Sequence, residues 1–142
     1  MRKKRERNAS YLVFISYSSK DKWIARQLAR LIESAGARLG IRTFLDEKDI
    51  QGGESIPETI REALEHCDEF LILLTPHSIN RPWVLIELGA AWGQRKHVVA
   101  IVSHLVPAKL PAVIAMDRAV DLNDFDTYLA QLLNRAKSAR KR

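Results

Sequence analysis

An α/β fold is what this sequence predicts, built on a doubly wound five-stranded parallel sheet of order 2-1-3-4-5 with helices on both faces. Two observations carry that expectation. Short β-branched and aromatic runs alternate along the chain with segments of helical spacing. The third run, Glu69 to Thr75, is apolar on both faces, as a central parallel strand must be. At 142 residues the chain is long enough for one full core and too short for two.

Each element follows from its own residues. Tyr11-Leu12-Val13-Phe14-Ile15-Ser16-Tyr17 reads as a buried first strand, ended by the polar group Ser18-Ser19-Lys20-Asp21. From Asp21 to Leu39, Trp23, Ile24, Leu28, Leu31 and Ile32 recur at helical spacing, with Gly36 and Gly40 marking the exit. Ile41 to Leu45 is the second strand and runs into the polar, glycine-bearing loop Asp46 to Gly53. Ser55 and Pro57 mark the start of a helix that lasts to His66, and Pro76 closes the third strand. Ser78 to Gln94 holds a strongly apolar helix, His97 to Val102 a fourth strand, Arg118 to Leu122 a short fifth, and Phe125 to Ala136 the closing helix. In sheets of this order, ligands bind beyond the carboxyl ends of the strands where the order reverses, here between strands one and three. The turn 16–19, the loop 46–53 and the connection 75–83 therefore surround one crevice, with Glu87 expected at its edge.

Charge and cysteine content narrow the function classes. The net charge of +6 is carried by the ends: residues 1–7 and 135–142 hold 10 basic residues and 1 acidic, leaving 13 basic and 16 acidic in between. A slightly acidic body with basic ends does not suit a groove-reading nucleic-acid fold, so no specific nucleic-acid partner is expected. The expected organisation is a basic leader over 1–9, one domain over 10–136 and a solvated basic tail over 137–142. Cys67 is the single cysteine, and no Cys/His grouping has zinc-site spacing, so no metal is expected. The chain has no apolar run near the roughly 20 residues that span a bilayer and opens with no secretory signal, which leads to an expectation of a cytoplasmic protein. Neither Gly-x-x-x-x-Gly-Lys-Ser/Thr nor Gly-x-Gly-x-x-Gly occurs, so a phosphate would be met by turn amides, hydroxyls and isolated cations such as Lys48 or Arg81.

Glu87 is the residue that asks for a function. It is the lone carboxylate of Trp83-Val84-Leu85-Ile86-Glu87-Leu88-Gly89-Ala90-Ala91-Trp92, where burial of an ionised acid is costly. Trp83 stands one helical turn earlier on the same face, so an aromatic plane and a hydrogen-bond acceptor can flank one ligand, a geometry suited to a sugar attached to a flat ring. The competing account is a structural network in which a neighbouring Arg or backbone donors satisfy the acid.

Three segments taken in order resemble a Toll/interleukin-1 receptor (TIR) domain, and its bacterial type in particular. They are Val13-Phe14-Ile15-Ser16-Tyr17-Ser18-Ser19-Lys20-Asp21, then Phe44 to Ile56, then Trp83-x-x-x-Glu87-Leu88. The likeness spans about residues 10–135 and implies the flavodoxin-like form of the fold already reached from pattern, with the second segment as the BB loop, residues 46–54. It also implies one of two occupations. Some TIR domains are non-enzymatic adaptors that bind other TIR domains, and others cleave NAD at the nicotinamide–ribose bond with a glutamate at the position of Glu87. Under the second reading Glu87 is catalytic and Ser16, Tyr17, Ser18, Asp46, Ile50 and Trp83 bind substrate, with Trp92 a further candidate for stacking. NAD is then substrate and no cofactor is needed. The products are nicotinamide with ADP-ribose or a cyclic isomer, and the setting is bacterial anti-phage immune signalling. Family members usually fuse the TIR domain to a sensing region. The resemblance thus implies either a separate sensor or effector partner or a chain cut from a longer protein, and activation by self-association through the BB loop.

Overall fold

The computed structural model describes residues 11–46, 57–106, 110 and 119–140, with the backbone alone for residues 82 and 83. Its strands are β1 (Tyr11–Ser16), β2 (Ile41–Leu45), β3 (Glu69–Leu74), β4 (His97–Val102) and β5 (Ala119–Asp121). The helices are α1 (Lys22–Ala35), α2 (Glu58–His66), α3 (Pro82–Gly93) and α4 (Phe125–Arg140). All strand pairings are parallel and the order is β2-β1-β3-β4-β5, as expected. The basic leader and most of the BB loop, including Lys48 and Ile50, lie outside the described residues.

Side-chain alternation along the strands splits the core into two layers. Val13, Ile15, Leu71, Leu73, Val99 and Ile101 point to one face and pack against Leu28 and Ile32 of α1 and Tyr128 and Leu132 of α4. Phe14, Phe70, Ile72, Leu74, Val98 and Ala100 point to the other, against Ile60 and Leu64 of α2 and Val84, Leu88 and Ala91 of α3. Across β2, β1 and β3 the rings of Phe44, Phe14 and Phe70 stack with centroids 5.2 and 5.5 Å apart, in register with the strand pairing. This aromatic ladder lies in the layer packed against α2 and α3.

Two expectations change. The first helix does not run to Leu39: it ends at Ala35, and a 3-10 turn, Ala37–Leu39, follows. Gly36 sits where an added Cβ would lie 2.5 Å from Ile41 Cδ1, and Gly40 takes a left-handed φ of 70°, so both glycines are needed to turn the chain sharply into β2. At the other end the closing helix does not stop at Ala136: α4 continues to Arg140, with residues 137–140 helical and exposed. Lys137 and Arg140 complement the helix C-terminus, and the Arg140 guanidinium donates to the Arg38 carbonyl at 2.9 Å. Arg135, counted above with the solvated basic end, instead donates two hydrogen bonds, of 2.9 and 3.0 Å, to Glu69.

Candidate active site

The alternation that divides the core also sorts the residues after β1. Ser16, the last residue of β1, shares its face with Phe14 and points toward α3; Tyr17 points the opposite way and packs with Val13 and Ile15 in the α1/α4 layer. On α3 the buried stripe is Val84, Glu87, Leu88 and Ala91, spaced i, i+3, i+4, i+7. Glu87 is therefore on the core face, and only 1% of it is exposed. It is buried against the sheet and does not hang exposed at an edge as the sequence suggested.

Ser16 Oγ donates to Glu87 Oε1 at 2.5 Å. Oε2 is equally buried and has no hydrogen-bond partner among the described residues. Asp46, buried where β2 ends, carries a second carboxylate close enough to act on Glu87. Burial, then the hydrogen-bonding and like charge of Asp46, push the Glu87 pKa up to about 10 against a smaller lowering by Ser16. Glu87 is thus protonated at neutral pH in this state, which reconciles a buried acid with the apolar helix that carries it.

The two loops framing this centre are themselves braced. The Ser18 hydroxyl accepts from the Lys20 amide at 3.3 Å, capping the 3-10 turn Ser19–Asp21. Across the crevice, Ser78 Oγ donates to the Leu73 carbonyl at 2.7 Å and accepts from the Thr75 amide at 2.9 Å, shaping the turn that leads into α3. Thr75 Oγ1 donates to Asp21 Oδ2 at 2.6 Å. Sequence reasoning missed this bond, because Asp21 ahead of a helix reads as an ordinary N-cap.

The structure thus brings Ser16, Asp46 and Glu87 together. Ser18 lies in the adjoining loop with its hydroxyl engaged locally, and the Tyr17 ring packs in the opposite layer, leaving its backbone as what it offers the crevice. Ile50 and the Trp83 side chain lie outside the described residues. Trp92 is five positions past Glu87, well around the helix, and 53% exposed, so it does not share the Glu87 face. Arg81 stands at the N-cap position of α3. Among the described residues no group of His, Cys, Asp or Glu could hold a metal ion, and no helix is long and apolar enough to cross a membrane.

A family model described as TIR domain matches residues 13–133, and the chain belongs to that family. It is similar to a Brachypodium distachyon protein named a probable 2' cyclic ADP-D-ribose synthase, BdTIR, with 29% identity over 131 residues, 91% of this chain and 54% of the plant protein. Mouse Toll-like receptor 6 is 32% identical over 84 residues, 58% of this chain and 10% of the receptor. The chain therefore spans about half the length of the plant relative and a tenth of the receptor. Among solved structures, the TIR domain of the Toll-related receptor TRR-2 from Hydra magnipapillata matches with a TM-score of 0.65 at 20% identity, over 88% of this chain and 97% of that one. A TIR-STING receptor from C. gigas, solved with 2',3'-cGAMP, matches with a TM-score of 0.60 at 21% identity, over 87% of this chain and 38% of that one. These two structural likenesses speak to the fold.

Proposed function

We propose that this TIR domain cleaves NAD at the bond between nicotinamide and ribose, with Glu87 as the catalytic carboxylate. The observation that carries the reading is the placement of Glu87: a buried acid on the core face of an apolar helix, held by Ser16 and neighboured by Asp46, where the strand order reverses. The likeness to a plant protein named as a cyclic ADP-ribose synthase supports it.

Nicotinamide leaves as a neutral base with the bonding electron pair, so it needs no general acid, and the ribose carbon becomes electron-poor. An ionised Glu87 opposes that developing charge and accepts hydrogen bonds from the ribose hydroxyls. Terms of this kind are worth about 3 to 4 kcal/mol per group. Glu87 is held protonated before binding, so it must release its proton to solvent as NAD binds, and the cationic pyridinium of NAD supplies a charge that favours this ionisation. Water attack on the ribose carbon then gives ADP-ribose and a proton; attack by a nucleophilic atom of the same molecule gives a cyclic isomer. Ser16, Ser18, Asp46, Ile50 and Trp83 are the substrate contacts of this reading, with Tyr17 contributing through its backbone.

Self-association is part of the proposal. Leu85, Ile86 and Trp92 on the outer side of α3 are 40%, 47% and 53% exposed, an apolar face that favours contact with another TIR domain alongside the BB loop. A bacterial anti-phage setting, with a separate sensor or effector, completes it. The same face favours the second reading, a non-enzymatic TIR–TIR interaction module. Incubating concentrated protein with NAD, followed by chromatography and mass analysis, separates the two. Glu87-dependent release of nicotinamide supports the enzyme, and the mass of the second product distinguishes ADP-ribose from a cyclic isomer. Intact NAD together with specific TIR binding supports the module.

A further inference from the structure

Asp21 occupies the N-cap position of α1, where an aspartate ordinarily accepts a hydrogen bond from the helix's own first-turn amides. It makes no such bond. Its carboxylate, buried, accepts from Thr75 Oγ1 at 2.6 Å, 54 residues along the chain. Thr75 is the hub of the turn after β3. Its Oγ1 accepts from the His77 amide at 3.0 Å, its amide donates to Ser78 Oγ, and its carbonyl accepts from the Ser78 and Ile79 amides at 3.1 and 3.0 Å. Arg81 N then bonds the Ser78 carbonyl, and Leu85 N bonds the Arg81 carbonyl, so the ordered turn passes directly into the helix that carries Glu87.

Two side-chain bonds tie the segment 16–21 to the β3–α3 unit: Ser16 to Glu87, and Asp21 to Thr75. The first must loosen or reorganise when Glu87 turns its oxygens to a substrate. The second does not involve the Glu87 carboxylate, so it can persist while the first changes. We infer that the Asp21–Thr75 bond is a latch that holds the start of α3 in register with the end of β1, making Asp21 and Thr75 positioning residues for Glu87. The buried site favours such a bond, since its loss leaves a buried carboxyl group without its donor. Misplacement of a reacting group by about 1 Å is enough to cost catalysis heavily.

The kinetic arm of the test rests on the proposed NAD chemistry, and a second arm does not. Thr75→Val removes the hydroxyl at nearly constant shape, and Thr75→Ser restores it. With NAD as substrate, Thr75→Val is expected to lower kcat about tenfold with KM within about twofold, and Thr75→Ser to recover most of the loss. Asp21→Ala combined with Thr75→Val is expected to be no slower than the worse single variant, since both remove one bond. Independently of any reaction, hydrogen exchange of the amides from Ser78 to Leu85 should quicken in Thr75→Val and return toward wild type in Thr75→Ser. Wild-type exchange across that segment in Thr75→Val overturns the latch. So does a slowed kcat that Thr75→Ser fails to rescue in a protein of wild-type thermal midpoint. If wild-type protein leaves NAD intact, the NAD reading fails and the exchange arm alone decides the latch.

Discussion

At the scale of single residues, Glu87 sets the pH behaviour. Its folded pKa of about 10 lies above its ordinary 4.5, so the group favours folding below 4.5 and that contribution fades as pH rises toward 10. At pH 7 the unfolded chain gains about 3 kcal/mol from ionising a group that stays neutral in the fold. Glu87→Gln removes this linkage while keeping the shape. The variant should match wild type in thermal midpoint near pH 4.5 and exceed it at pH 8; an equal midpoint at both values would show that Glu87 ionises freely. Asp46 gives a second handle. Its removal as Asp46→Asn takes away a cause of the raised pKa, so the rising limb of kcat/KM against pH should move to lower pH. A limb that stays in place or moves up would detach Asp46 from Glu87.

Element by element, α3 is the unusual one. Its acid faces the core while Leu85, Ile86 and Trp92 face outward, the reverse of an ordinary surface helix. The sequence made the oddity visible as a lone glutamate in an apolar run, but not its sense. With nearly every residue apolar, no periodicity told the inner face from the outer, and Glu87 was read as an edge residue when it is buried on the core face. If the outer face serves assembly, Trp92→Glu should leave the fold intact and abolish any rise of specific activity with protein concentration, followed by light scattering across a dilution series. Specific activity that is constant over the series, with monomer throughout, would contradict assembly. The neighbouring strands were easier to read. β2 and β4 were placed to the residue because turn or polar residues bound each β-branched run, whereas α4 outran its expected end because Lys137 to Arg140 looked like a charged tail rather than a helix terminus.

Across the whole molecule, the strand order with helices on both faces followed from the alternation of strands and helices and from the apolar third strand, which left 2-1-3-4-5 as the natural arrangement. What stayed hidden were contacts between distant residues whose local reading was ordinary. Glu69 looked like a strand start, yet it is 0% exposed at the amino end of β3, and the hydroxyls of Tyr11 and Tyr128 donate to it at 2.8 and 2.6 Å beside the Arg135 guanidinium. This cluster fastens α4 to the sheet at the end opposite Glu87. Arg135→Ala leaves a buried carboxylate without its counter-charge and should cost about 3 to 5 kcal/mol in urea unfolding at neutral pH. A cost under about 1 kcal/mol would mean that the two tyrosines suffice. Because the cluster is remote from the crevice, the folded fraction of this variant should keep its NAD turnover.

If Glu87 is kept buried for chemistry and not for stability, NAD turnover by Glu87→Gln beside wild type decides the matter. Turnover should fall at least about a hundredfold in a protein that is as stable as wild type or more so. Turnover within a few-fold of wild type in that folded variant would contradict it.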